Sequence, residues 1–200
     1  MDLQEIINKS EELIRWLDTQ IDGLEIASEE KIRLAAGCLD MALEHQKAIV
    51  LLVANKLYGS AFSLARLIFE AYVRGVWLQM CASETEIKKF KKDELEKNFN
   101  MLINEIERCD GFNEGILSAA KATNWLSMNS FTHSGFLQVV RRNKEDSLEP
   151  NYTDEEIIEL VNIANALGML SALQIALLAG KNKLVNDMLE KSKIIFINKP

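Results

Sequence analysis

Between Ser60 and Ala82 an otherwise apolar run of sequence carries only three charges, Arg66, Glu70 and Arg74. Their spacing of four and four stacks all three along one stripe of an α-helix. Phe62, Leu67, Phe69, Val73, Val76 and Trp77 cover much of the remaining surface, the mark of a central, buried helix. Charged side chains in such a place are costly unless they are paired or line a wet cavity. The run thus nominates a place where something polar happens. The same ladder also reads as packing glue that fixes helix register, with one net positive charge left to be matched from elsewhere.

The chain has only 2 histidines, so each can be weighed by itself. His133 follows a helical stretch in the Ser/Thr/Asn-rich segment Asn129-Ser130-Phe131-Thr132-His133, and Ser134-Gly135 invites a turn after it. A histidine at such a turn has its ring free for proton transfer or hydrogen bonding, or else bonds a backbone carbonyl at the helix end. His45, within Glu44-His45-Gln46, is either a packing residue or, together with Glu44, faces the Arg66 stripe from a neighbouring helix. No H-x-x-x-H or H-E-x-x-H spacing supports a metal site. The glycine loops of NTPases and dinucleotide-binding proteins are absent, as is G-x-S-x-G, so no cofactor is expected.

The elements that must position these groups are helices. Of 200 residues, 48% are hydrophobic, and 9 Gly and 2 Pro are too few for the turns of a β-sandwich or a doubly wound α/β domain. The expectation is an all-α protein, a single domain over residues 1–200, built as an antiparallel bundle of about six to seven helices. A net charge of −7 argues against a broadly basic nucleic-acid surface, while Arg66, Arg74, Arg141 and Arg142 can still make a local positive cleft. Cys38, Cys81 and Cys109 form no C-x-x-C pair and read as free thiols of a reducing cytoplasm. The acidic Met1-Asp2-Leu3-Gln4-Glu5 start has no signal-peptide pattern. Val161 to Gly180 is uncharged and long enough to span a bilayer, but Asn162, Asn165 and Gln174 interrupt it. A buried bundle helix accounts for it better.

Start and stop signals divide the chain. Asp2 with Glu5 caps a helix that runs to about Gln20, and Ser28 opens a second one that runs to about Lys56. Tyr58-Gly59-Ser60 reads as a tight connection with Ser60 as the next N-cap, which makes the second and third helices antiparallel neighbours. Ser83 with Glu86 caps a Lys-rich peripheral helix that breaks near Lys92-Asp93. A fifth helix covers about Glu114 to Asn129, and a short turn lies near Leu137 to Arg141. Asn143 to Asn151 is a loop. Thr153 with Glu156 caps the last long helix, which ends near Ala179 and precedes a short helix and a frayed tail from Ile194 to Pro200.

Four stretches resemble a family of uncharacterised bacterial proteins that is similar to the helical HEPN superfamily. They are Ala42 to Ile49, Tyr58 to Arg66, Phe69 to Gly75 and Asn129 to Gly135, and they span about half the chain with the helices that carry them. The resemblance implies an antiparallel bundle that dimerises around a shared cleft. It also implies a place among ribonucleases of toxin–antitoxin, phage-defence and CRISPR systems. The superfamily's signature is an arginine, often followed by a polar residue, a short spacer before a histidine. Asn129 matches the polar position and His133 the histidine, but Met128, Ser127 and Leu126 stand where the arginine would be.

Two functional expectations follow. In one, the chain is a non-catalytic module that binds RNA, a nucleotide or an antitoxin-type protein through Arg74, Asn129, Ser130, Glu44 and His45. In the other it is a ribonuclease in which Arg66 or Arg74 replaces the missing arginine, Glu70 orients it, and His133 assists 2′-hydroxyl attack. A purely structural helical dimer is the third alternative.

Overall fold

The structure, a computed structural model, describes residues 2–197. Among these it is all-α, with nine α-helices and one two-residue hairpin. The order is α1 (Leu3–Ile21), α2 (Glu30–Ala54), α3 (Tyr58–Met80), α4 (Glu84–Phe90), α5 (Phe99–Ile106), α6 (Ile116–Thr132) and α7 (Phe136–Val140). Strands β1 (Asn143–Lys144) and β2 (Ser147–Leu148) follow, then α8 (Asp154–Leu178), α9 (Asn182–Ser192) and a π-helical turn over Lys193–Ile197. The strands pair antiparallel, with Asn143 opposite Leu148. The expected helix count was too low because the Lys-rich section, broken near Lys92-Asp93 as expected, forms two helices, and the turn read near Leu137 to Arg141 is the short helix α7. The tail expected to fray begins as the π-turn, and residues 198–200 lie outside the described residues.

Local chemistry explains most boundaries. Ser83 and Thr153 form full capping boxes with Glu86 and Glu156, and the Asp2 side chain accepts the Glu5 N–H. Ser28 plays no such part, since α2 starts at Glu30 without a side-chain cap. Ser60 is likewise not an N-cap but lies inside α3, which begins at Tyr58. The reason is a Schellman turn. Lys56 takes the left-handed conformation at φ 57°, and the Leu57 N–H bonds the Leu52 carbonyl at 2.8 Å. That closes α2 and leaves α3 free to start at once, so the connection is Asn55 to Leu57.

The core is one connected apolar cluster to which α1, α2, α3, α5 and α8 all contribute. Tyr72, Trp77 and Leu78 of α3 are fully buried in it. Large apolar side chains of this kind each contribute roughly 1.5–3 kcal/mol when buried. α8 is the one helix among the described residues long and apolar enough to cross a membrane, and most of it is buried inside the bundle. Its Asn165, one of the three polar interruptions seen in the sequence, is explained by its bonds. The Asn165 amide donates to Ser10 Oγ at 2.7 Å, and its carbonyl accepts from Gln46 Nε2 at 3.1 Å, tying α8 to α1 and α2. All three side chains are buried.

A second network lies at the periphery. Lys97 ion-pairs with Glu86 and with both oxygens of Glu105 at 2.7 and 2.8 Å, and Trp77 Nε1 donates to Glu105 at 2.6 Å. Burial alone would raise both carboxyls. The hydrogen bonds from Lys97, with Ser83 helping on Glu86 and Trp77 on Glu105, outweigh it. Glu86 is held at about 2 and Glu105 below the usual carboxylate range. Beside this network the thiols of Cys81 and Cys109 meet at 3.7 Å, although 28 residues separate them.

Two outcomes follow for stability. Asn165→Ala leaves the buried Gln46 amide without its partner and should lower unfolding free energy by about 2–3 kcal/mol, measured by urea denaturation. A loss below about 0.5 kcal/mol would show the network to be dispensable. The carboxyls of Glu86 and Glu105 sit below their unfolded value of about 4.3. Their stabilisation is therefore present above that value and is lost as pH falls from about 5 toward about 2. Lys97→Met should cost about 2 kcal/mol near neutral pH, with a much smaller difference from wild type at about pH 3. Equal losses at both pH values would contradict this assignment.

Candidate functional site

The site begins with Ser63, one turn before Arg66 on α3. Its hydroxyl lies 2.9 Å from both the Gly59 and Phe131 carbonyls and accepts from Gln138 Nε2 at 2.8 Å. The Ser63 carbonyl accepts from Thr132 Oγ1 at 3.2 Å. The Phe62 and Phe131 rings pack beside these bonds at 4.9 Å. One small residue thus fixes the end of α6, and α7 with it, against α3.

The chain then turns sharply. Ser134 is left-handed at φ 53°, and the Gly135 N–H bonds the Ser130 carbonyl at 2.7 Å in a second Schellman-type closure. Gly135 is needed here for space, because a Cβ would lie 2.6 Å from Ser130 Oγ and 3.0 Å from its Cα. Ser130 Oγ in turn accepts the Leu137 N–H at 3.0 Å. This expected ligand-binding serine is therefore engaged within the turn. His133 is left exposed at the helix end, aimed back at α3.

There it meets Arg66. Arg66 Nη1 lies 2.8 Å from His133 Nε2, Arg66 Nε donates to Glu70 Oε1 at 2.8 Å, and the guanidinium sits 4.7 Å from the centre of the Trp125 ring. An arginine has only donors, so His133 accepts at Nε2 and carries its proton on Nδ1. Trp125 stacks on Phe99 at 4.8 Å and also has Lys121 Nζ 4.6 Å away. Arg66 and Glu70 are largely but not fully covered. The arrangement joins a fixed guanidinium, a neutral imidazole, an aromatic face and a second cation, with one carboxylate to balance them. In a chain of net charge −7 it is a local excess of positive charge, fitted to an anion.

The structure brings together Arg66, Glu70 and His133, with Asn129 one turn before His133 on α6. Asn129 Oδ1 is buried without a hydrogen-bond partner among the described residues. Arg74 stands apart from this cluster. It makes no ion pair among the described residues, and its charge is felt at Cys38 of α2, where it opposes the upward push of burial on the thiol. Glu44 is exposed and His45 half-buried on α2, and among the described residues neither bonds to Arg66, Glu70 or His133. Burial pushes the His45 imidazole down and Glu44 partly opposes it. The four arginines expected to form one cleft are dispersed, since Arg141 pairs with Glu156 and Arg142 lies beyond it. Met128 lines a groove of about 320 Å3 with Phe62, Phe131 and Ile163, of which His133 is not part. Trp125, Lys121 and Phe99 escaped the sequence reading. The spacing of four between Lys121 and Trp125 was the available signal.

Residues 39–195 match the model of DUF6988, a family of unknown function. The chain belongs to the DUF6988 family. The matched span starts within α2 and takes in every candidate residue from Glu44 to His133. No curated protein and no solved structure matches this DUF6988 chain.

The turn geometry has a direct test. Gly135→Ala should displace the Ser130 backbone, lower stability by about 1–3 kcal/mol and shift the imidazole resonances of His133. Those of His45 serve as the internal control and should not move. Unchanged His133 resonances would mean that the turn does not position the ring.

Proposed function

We propose that this protein binds single-stranded RNA at the Arg66–His133 cluster, Arg66 meeting a phosphate while Trp125, packed between Phe99 and the guanidinium, holds Arg66 in place. The observation that carries this reading is the 2.8 Å approach of Arg66 Nη1 to His133 Nε2, with Glu70 holding Nε and Trp125 beneath the guanidinium. Guanidinium groups suit phosphate oxygens. The HEPN resemblance supports the same choice. The arginine that its motif lacks at Met128, Ser127 and Leu126 is supplied from α3. The resemblance adds a homodimer, an antitoxin-type partner protein and a cytoplasmic defence setting to the reading, and the chain acts in it as a single domain.

Cleavage is the second reading, and the Arg66–His133 bond favours it. A bound phosphate draws Arg66 Nη1 to its own oxygens, which frees the Nε2 lone pair. Nε2 then takes the proton of a neighbouring 2′-hydroxyl as that oxygen bonds to phosphorus and the phosphorus–5′-oxygen bond breaks. The proton passes on to the departing 5′-oxygen, and Arg66 stabilises the charge that develops on phosphorus oxygens.

Fluorescence anisotropy of a dye-labelled short oligouridylate, titrated with the protein, separates these readings. Arg66→Ala and Trp125→Leu, each shown to be folded by circular dichroism, should weaken binding by tenfold or more, equivalent to about 1.4 kcal/mol or above. His133→Ala should bind with little loss, and if the chain cuts RNA it should abolish cleavage in vitro and in a bacterial host expressing the protein. Equal affinity for wild type, Arg66→Ala and Trp125→Leu would overturn the RNA reading.

A further inference from the structure

We propose that the cavity between the closing turns of α2 and α6 is a phosphate subsite, which takes a further phosphate of the strand held at Arg66. Its placement on RNA rests on the function proposed above, whereas its preference for phosphate stands on the cavity itself. The cavity measures about 570 Å3, and its polar lining comes from Lys56, Ser60, Ser134, Gln138 and Arg142. No Asp or Glu lines it. Neither Lys56 nor Arg142 has an ion-pair partner among the described residues, although the chain has 30 acidic residues for 23 basic ones. Arg141, next to Arg142, is by contrast paired with Glu156. Two cations facing one cavity without a carboxylate repel each other until an anion enters between them.

The backbone gives an independent reason to regard the two loop side chains as retained for use. Three non-glycine residues among those described have positive φ, and two of them, Lys56 at 57° and Ser134 at 53°, line this cavity. Both occupy the left-handed position of a helix-closing turn, where glycine is the usual and least strained residue. A lysine ammonium and a serine hydroxyl are the groups that a phosphate accepts hydrogen bonds from. Ser60 adds a second hydroxyl from the first turn of α3.

Its position relative to Arg66 fits a continuous strand. Ser134 directly follows His133, so the turn that aims the imidazole also forms the wall of the cavity. Ser60 and Arg66 are six residues apart on α3, about 9 Å along its axis and about 120° around it, a separation of more than one nucleotide. A ribose-phosphate chain lying along α3 thus passes from the guanidinium, over the His133–Ser134 turn, to Lys56 and Arg142.

The test is an amide NMR titration of the full chain with inorganic phosphate and, separately, with oligouridylate. The variants are Lys56→Gly, Arg142→Gln and Arg66→Ala. Phosphate should shift the Gly59, Ser60 and Ser134 resonances in wild type and in Arg66→Ala, and bind about three- to tenfold more weakly to the two cavity variants. Lys56→Gly should be at least as stable as wild type, since glycine relieves the left-handed backbone, so its weaker binding cannot be ascribed to misfolding. For oligouridylate, each cavity variant should flatten the slope of log affinity against log salt by about 0.7.

Phosphate that shifts nothing at the cavity, or cavity variants that bind it like wild type, would overturn the subsite. A Lys56-dependent phosphate response with an unchanged RNA salt slope would support a phosphate site and overturn its placement on an RNA strand. Loss of RNA binding in Arg66→Ala alone would uphold the Arg66 reading and overturn that same placement.

Discussion

At Gly168 the backbone of α8 runs so close to α2 that a Cβ would fall 1.9 Å from Gln46 Oε1. This close approach lets the Gln46 amide reach Asn165 on the same helix, and Asn165 reach Ser10 of α1. A buried amide is tolerated only when its donors and acceptors are met, so the three helices have one relative position that satisfies all three side chains. Apolar contacts alone would allow α8 to slide by a turn at modest cost. The polar chain removes that freedom, and with α2 and α8 fixed, α3 has its seat between them.

The candidate site occupies the flank of α3 that α2 and α8 leave uncovered. There α6 contributes few buried residues, and Ser63 with its four hydrogen-bonding neighbours sets its end in place. Packing and site chemistry are thus separated around α3. Ala61, Ile68, Tyr72 and Trp77 are buried on its core-facing side, while Ser63, Arg66 and Glu70 lie on its partly exposed flank. A helix that looks uniformly apolar in sequence is therefore divided by what covers it.

The fold was legible where a single residue sets a local energy. Ser83 and Thr153 mark real helix starts because a side-chain oxygen within reach of free N–H groups does the same thing in any context. The stretch after α2 was misread for the opposite reason. Ser60 carries a capping oxygen, but left-handed Lys56 had already closed α2, and lysine gives no hint of that conformation. Within the site, four-residue spacing correctly placed Arg66 beside Glu70, yet the same spacing did not bring Arg74 to Glu70. Which face of a helix a neighbour covers is a tertiary fact: Trp125 meets Arg66 from another helix, and Lys97, between α4 and α5, meets Glu86 and Glu105 from both. Spacing within one helix carries no record of such contacts.

The restraints on Arg66 also have an entropic side. A free arginine samples many rotamers, and fixing it removes about 2 kcal/mol of side-chain freedom. Here Glu70, His133 and Trp125 hold the guanidinium from three directions, so that freedom is lost when the protein folds. An anion arriving at Arg66 meets a group already immobilised and has little further ordering to impose. The tether that lowers the entropy of the folded chain is the same one that makes its guanidinium a preorganised receptor.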